Sequence, residues 1–318
     1  MYTFRYFTKT ILLTILISIS LQGNSQNTDN PYIDTIQYKK LSVNPSLTNP
    51  AIYYWDTSHV VYYDSGIKSN KILLWLAGTN GIPLNVPVDF FNTALSQGYR
   101  IVALSYITVP AIAQVCVGDV LDSDIDCAAR FRQRRIYGDN DFSLIRDEPQ
   151  DAIIPRFFKL LQWLEKNDAD GNWSQYINTK ESKPMWNKIV IAGQSQGGGM
   201  AAFIGQHETL AGVISFSGGW DYSNSKEKKI AAWYFNKAQT PLKNWYVTYH
   251  VNEMAAKQLK EISTSLKVPE THIFALDKPL LNENASKERT NPYHGDGIRN
   301  IAYKPIWITM LGKGIYKK

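Results

Sequence analysis

Residues 188–199 read Lys-Ile-Val-Ile-Ala-Gly-Gln-Ser-Gln-Gly-Gly-Gly. Within them, Gly193-Gln194-Ser195-Gln196-Gly197 has the G-x-S-x-G spacing of a strand-to-helix turn so tight that the serine backbone is strained. Such a turn lifts the hydroxyl clear of the sheet. Gly193 and Gly197 stand two residues either side of Ser195, where a Cβ would meet the crossing strand and helix. Gly198 and Gly199 are expected to let the next helix start close to the sheet. That helix aims free N–H groups and a positive dipole at the serine. The pattern alone is common by chance, so its context decides. Ile189, Val190 and Ile191 precede it as a strand, and Met200, Ala201, Phe203 and Ile204 follow at helical spacing.

The same alternation runs through the chain from about Lys71. Short apolar runs at Ile72–Ala77, Ile101–Tyr106, Ile189–Ala192, Val213–Ser217, Trp245–Tyr249 and His272–Leu276 are separated by longer helical patterns. This predicts an α/β protein with a mostly parallel sheet covered on both faces. Helical periodicity is clearest at Ile154, Phe157, Phe158, Leu161 and Leu164, and a further helix is expected over Met254–Leu266. The Tyr- and Val-rich stretch Pro31–Tyr63 is expected to supply antiparallel opening strands. No repeat or low-complexity linker interrupts residues 26–318, which read as one domain.

Two segments break the alternation. Thr108–Glu148 is long and polar. It follows a strand, so it is expected to overhang the serine, because ligand sites in such sheets lie beyond the C-terminal strand ends. Trp220–Lys243 carries Trp220, Trp233, Tyr234 and Phe235, which fit either a pocket wall or ordinary core. Asn167–Asn172 is rich in acids and amides. It lacks the acid spacing and closing glutamate of a calcium loop and reads as a turn.

The first residues read as an export signal: Arg5 and Lys9, an apolar run over Ile11–Leu21, then small residues at Gly23-Asn24-Ser25. Cleavage after residue 25 is expected to leave a soluble, secreted or periplasmic protein without a membrane span. Net charge is +6, and losing the leader lowers it by two. An excess this small, with Arg130–Arg135 its only dense cluster before the C-terminal lysines, gives no reason to expect a nucleic-acid partner. Cys116 and Cys127 are the only cysteines. An even count in an exported chain predicts a disulfide. No histidine lies near them at ligand spacing, so neither a metal nor a cofactor is expected.

A serine hydroxyl needs a base to become a nucleophile. His294, in Asn291-Pro292-Tyr293-His294-Gly295-Asp296, follows the last strand on a loop able to lean over Ser195 and is the candidate base. His250 and His272 sit within predicted strands and read as structural. Glu253, just after the strand ending near His250, is the candidate acid, and Asp221, one strand earlier, is the alternative. If Glu253 holds that role, Asp221→Asn is expected to be nearly silent in turnover, or to act mainly on KM through the aromatic segment it precedes. Two N–H donors are needed for the oxyanion. Gln196, directly after the serine, is one. The other comes from Gly78-Thr79-Asn80-Gly81, with Thr79 as the candidate donor and Asn80 as the alternative.

Leu76–Gly81 (Leu-Ala-Gly-Thr-Asn-Gly), the two cysteines followed by Arg134-Arg135-Ile136-Tyr137-Gly138, the Trp163–Trp173 stretch, the serine turn and the histidine loop together resemble a family of exported bacterial α/β-hydrolase-fold proteins, mostly without assigned substrates. The resemblance covers most of residues 26–318. It implies the α/β-hydrolase fold and a Ser-His-acid triad, and it supports the disulfide. The chain departs from the family's pattern at Gln194, where a histidine is common, and at Glu253, where an aspartate is usual. The reading is a carboxylesterase-like serine hydrolase acting on a small or polymer-borne ester. A peptidase or amidase on the same triad is the alternative, and an inactive hydrolase-fold binding protein a more distant one.

Overall fold

The computed structural model describes residues 38–55, 57–138, 142–281 and 290–312. The leader read at residues 1–25 lies outside them, as does the Lys317-Lys318 tail. In chain order the described elements are β1 (Lys39–Val43), α1 (Pro45–Thr48), β2 (His59–Tyr63), β3 (Ile72–Leu76), α2 (Val88–Ser96) and β4 (Arg100–Ala103). Then come α3 (Ile112–Val115), α4 (Gly118–Ser123), α5 (Cys127–Tyr137), α6 (Ile153–Asn167), the small strands β5 (Ile177–Asn178) and β6 (Lys183–Pro184), and β7 (Ile189–Gln194). The chain continues with α7 (Gln196–His207), β8 (Gly212–Phe216), β9 (Trp245–His250), α8 (Ala256–Ser265), β10 (Ile273–Leu276) and α9 (Lys304–Leu311).

Eight strands share one sheet in the order β1-β2-β4-β3-β7-β8-β9-β10. The two pairings made by β2 are antiparallel, and all others are parallel. A parallel sheet must be buried on both faces, and β3 shows how these residues do it. Ile72, Leu74 and Leu76 enter one apolar cluster with Phe131 of α5, Phe157 of α6 and Met200 of α7. Leu73 and Trp75 enter another with Phe90 of α2 and Trp307 of α9. Helix α6 buries Ile153, Phe157, Leu160, Leu161 and Leu164, a stripe at helical spacing that also takes in Arg156. The topology and the serine turn at the end of central β7 make this the α/β-hydrolase fold.

Strand ends differ from the periodicity reading where local bonds end the ladder. Beyond β4, the Ser105 N–H donates to the His59 side chain at Nδ1 (3.0 Å) instead of to the backbone of neighbouring β2. Ser217, expected in β8, has φ +44°, a left-handed backbone that no strand continues through. His272 closes a 3₁₀ turn just before β10 rather than lying within the strand, and its Nδ1 lies 2.9 Å from the Trp245 carbonyl. In 167–172, the Asp168 carboxylate is bonded by Lys39, Tyr63 and Trp173, which knots the turn to β1 and β2.

Candidate active site

Leu76 of β3 lies opposite Gly193 of β7 in the sheet register, so the chain leaves both strands side by side. Ser195 follows β7 with φ +56° and ψ −120°, a conformation a side chain rarely adopts. Its N–H donates to the Phe216 carbonyl (2.9 Å), and its own carbonyl accepts from Gly199 (3.0 Å). The turn closes only on glycine. A Cβ on Gly193 would lie 2.3 Å from the Gly197 carbonyl, and one on Gly197 would lie 2.1 Å from the Leu76 oxygen. Gly199 serves a different neighbour from the one its spacing suggests. A Cβ there would meet the Arg132 guanidinium at 2.3 Å, so this glycine makes room for a cation rather than for the sheet.

The loop after β3 presses on the serine, since a Cβ on Gly78 would be 3.2 Å from Ser195 Cβ. Thr79, Gln196 and Ser195 border one cavity of about 280 Å³. The Gln196 N–H belongs to the first turn of α7, where N–H groups have no partner within the helix. Asn80 carries the left-handed turn of the loop at φ +59°.

His294 sits on a 3₁₀ turn, Pro292–Ile298, between β10 and α9. Its Nδ1 lies 2.8 Å from Glu253 Oε2. The Glu253 side chain is fully buried, while that of His294 keeps 23% of its surface exposed. The other carboxylate oxygen, Oε1, accepts from Ser217 Oγ and from the His250 N–H, both at 2.8 Å. Charged acceptors with several donors make the stronger class of hydrogen bond. Asp221 is placed elsewhere. Its two oxygens take Arg132 Nε (2.7 Å) and Nη2 (2.8 Å), and Oδ2 also accepts from Trp233 Nε1 (2.9 Å). Burial opposes the Arg132 charge, but Asp221 outweighs it and holds the guanidinium above its usual range. Burial also keeps the Tyr234 phenol, which accepts the Asp221 N–H, far above the usual range and therefore neutral.

Both glutamines flanking Ser195 hold neighbouring loops, which their motif positions do not announce. Gln194 Nε2 donates to the His294 carbonyl (3.1 Å). Gln196 is buried; its Nε2 donates to the Thr108 carbonyl (2.8 Å) and its Oε1 accepts from the Ile112 N–H (3.2 Å). The Thr108–Glu148 segment therefore starts from the serine turn. Cys116 and Cys127 form a disulfide, with Cα atoms 5.7 Å apart, that joins the end of α3 to the start of α5. Cys116, Ile112 and Val117 line the cavity on one side, and Trp220, Tyr222 and Lys228 line it as well. The Trp220 and His294 ring centroids are 6.2 Å apart. Trp233 and Tyr234 are buried core, and Phe235 faces solvent.

Among the described residues no group of three or more His, Cys, Asp or Glu side chains is gathered as a metal site, and no helix is long and apolar enough to cross a membrane.

No protein-family model matches the chain, and no curated protein sequence matches it. Several solved structures are similar in outline. An esterase from Pyrococcus furiosus is 11% identical with a TM-score of 0.48, covering 90% of this chain and 94% of its own. A thermostable esterase from Pseudomonas putida is 11% identical with a TM-score of 0.43, covering 89% and 84%. A dienelactone hydrolase from Anabaena variabilis is 13% identical with a TM-score of 0.42, covering 86% and 97%.

Proposed function

We propose that this protein is a serine hydrolase that cleaves a carboxylic ester through an acyl-enzyme, with Ser195 as nucleophile, His294 as base and Glu253 as the acid that orients it. The observation that carries this reading is the buried Glu253 carboxylate, fixed by two donors on one oxygen and set 2.8 Å from His294 Nδ1 by the other. With Nδ1 held, Nε2 is the ring nitrogen available for proton transfer. It takes the Ser195 proton as Oγ attacks the ester carbonyl carbon. The N–H groups of Gln196 and Thr79 receive the oxyanion. Collapse of the tetrahedral intermediate breaks the bond to the alcohol oxygen, which leaves with the proton from His294. Water then repeats the sequence on the acyl-enzyme and frees the acid. Glu253 stays ionised throughout and balances the imidazolium.

The test is labelling and turnover on one serine. A fluorophosphonate probe should label the wild-type protein and not Ser195→Ala. On a panel of chromogenic acyl esters, acetylated glycans and aminoacyl anilides, the variant should lose about 10³-fold or more in kcat, because nucleophile and base act as a unit. Labelling that survives Ser195→Ala places the nucleophile elsewhere. Turnover of anilides but not esters makes the protein an amidase, and the absence of both labelling and turnover leaves the binding-protein reading.

A further inference from the structure

Three charged side chains border the cavity over Ser195: Arg132, Asp221 and Lys228. Two of them cancel. Arg132 and Asp221 form a two-pronged ion pair with side chains only 1% and 4% exposed. Lys228 has no carboxylate partner among the described residues, whereas its neighbours Lys229 and Glu227 pair with each other at 2.6 Å. Asp122, the carboxylate that α4 brings to this segment, is spent on the Ser225 N–H (2.8 Å) and hydroxyl (2.5 Å). The cavity lining therefore carries one uncompensated positive charge.

That charge is held in a defined place. Lys228 adopts φ +50°, and its N–H donates to the Asn224 carbonyl (3.1 Å). Asn224 Oδ1 accepts from the N–H groups of Lys226 (3.0 Å) and Glu227 (2.7 Å), which shapes the turn. Tyr222 bridges to Ile230 across the base of the same hairpin, and Asp122 ties its tip to α4. A backbone fixed at both ends reduces the ordering cost of binding to the side chain it carries. The wall between is apolar, with Ile112 and Val117 from the overhanging segment.

We propose that the substrate is an anionic ester: an apolar spacer fills the cavity, and a carboxylate or phosphate remote from the scissile bond pairs with the Lys228 ammonium. This rests on the hydrolase reading above and names the substrate class for the same site.

The experiment compares matched ester pairs by kcat/KM. On the acyl side, 4-nitrophenyl hemiglutarate is set against 4-nitrophenyl valerate. On the alcohol side, the acetate of 4-hydroxybenzoate is set against that of 4-hydroxybenzamide. One pair should favour the anion by about fivefold at low salt, the range of a partly exposed ion pair, and the preference should shrink as salt rises. The ratio should fall to about one in Lys228→Met, return in Lys228→Arg, and invert in Lys228→Glu. Melting temperatures would identify any variant that fails to fold, and where Lys228→Met does, the inversion expected in Lys228→Glu carries the test. Equal ratios in wild type and Lys228→Met overturn the proposal while ester cleavage itself leaves the hydrolase reading standing. If wild type takes the fluorophosphonate label yet cleaves none of the four esters, this proposal falls alone; if it is neither labelled nor active, the hydrolase reading falls with it.

Discussion

The role proposed for Glu253, orienting an imidazole, requires an immobile carboxylate on an arm one methylene longer than that of aspartate. Two donors on Oε1 fix the group, which leaves Oε2 for His294. Glu253→Gln sets an amide N–H₂ against either the Ser217 and His250 donors or the imidazole N–H, and no rotamer satisfies all of them. Its kcat is expected to fall by about 10³- to 10⁴-fold with KM nearly unchanged. Asp221→Asn is expected to act on a different observable. It leaves the buried Arg132 charge uncompensated, so it should cost about 3–5 kcal/mol in urea unfolding, a loss of stability distinct from the small effect expected on kcat. A large kcat loss in Asp221→Asn with unchanged stability, and none in Glu253→Gln, would move the acid to Asp221.

At the scale of elements, what could be read from the sequence was what is local. The turn at Ser195 is written in five residues, and the runs at β3, β7 and β9 in five or six each. Arg132 was missed because its partner lies 89 positions away. A signal did exist. On α5 the buried face runs through Cys127, Ala128, Phe131, Arg132, Arg135 and Ile136, so two arginines stand in the apolar stripe. A cation in such a place calls for a buried anion, and Arg135 finds Asp147 at 2.7 Å. The roles of Gln194 and Gln196 were equally hidden, since what their amides hold is set by loops 88 and 100 residues away. The segment over the serine is fastened twice, by Gln196 at its start and by the disulfide further on. Replacing both cysteines by alanine should cost about 2–3 kcal/mol of stability, the closure entropy of a short loop. Because Cys116 lines the cavity, KM should rise more than kcat falls. Titration of two thiols in the unfolded, unreduced wild-type protein would remove the bond from this account.

Across the whole molecule, burial on both sheet faces leaves little room for groups that must change charge, and His59 on β2 is such a group. Its Nδ1 accepts the Ser105 N–H, so the neutral ring carries its proton on Nε2, which has no partner. Burial, and then the nearby Arg156 guanidinium, push its pKa from 6.5 down to about 3. The unfolded chain therefore binds a proton near pH 6.5 that the folded chain refuses until about pH 3. Stability rises with pH wherever the unfolded state holds more protons, so acidification through that window should remove up to about 1.4 kcal/mol per pH unit through this one residue. Asp168 acts in a lower one. Burial alone would raise its pKa, but the bonds from Lys39, Tyr63 and Trp173 hold it below 3.8, so its contribution is lost only on further acidification. His59→Asn separates the two, because Oδ1 can accept the Ser105 N–H where Nδ1 did and cannot titrate. The variant should be less stable at pH 7 through lost packing, yet its urea midpoint should decline less steeply than wild type between pH 6 and pH 4. Parallel declines for the two proteins would mean that another group carries the acid sensitivity of the fold.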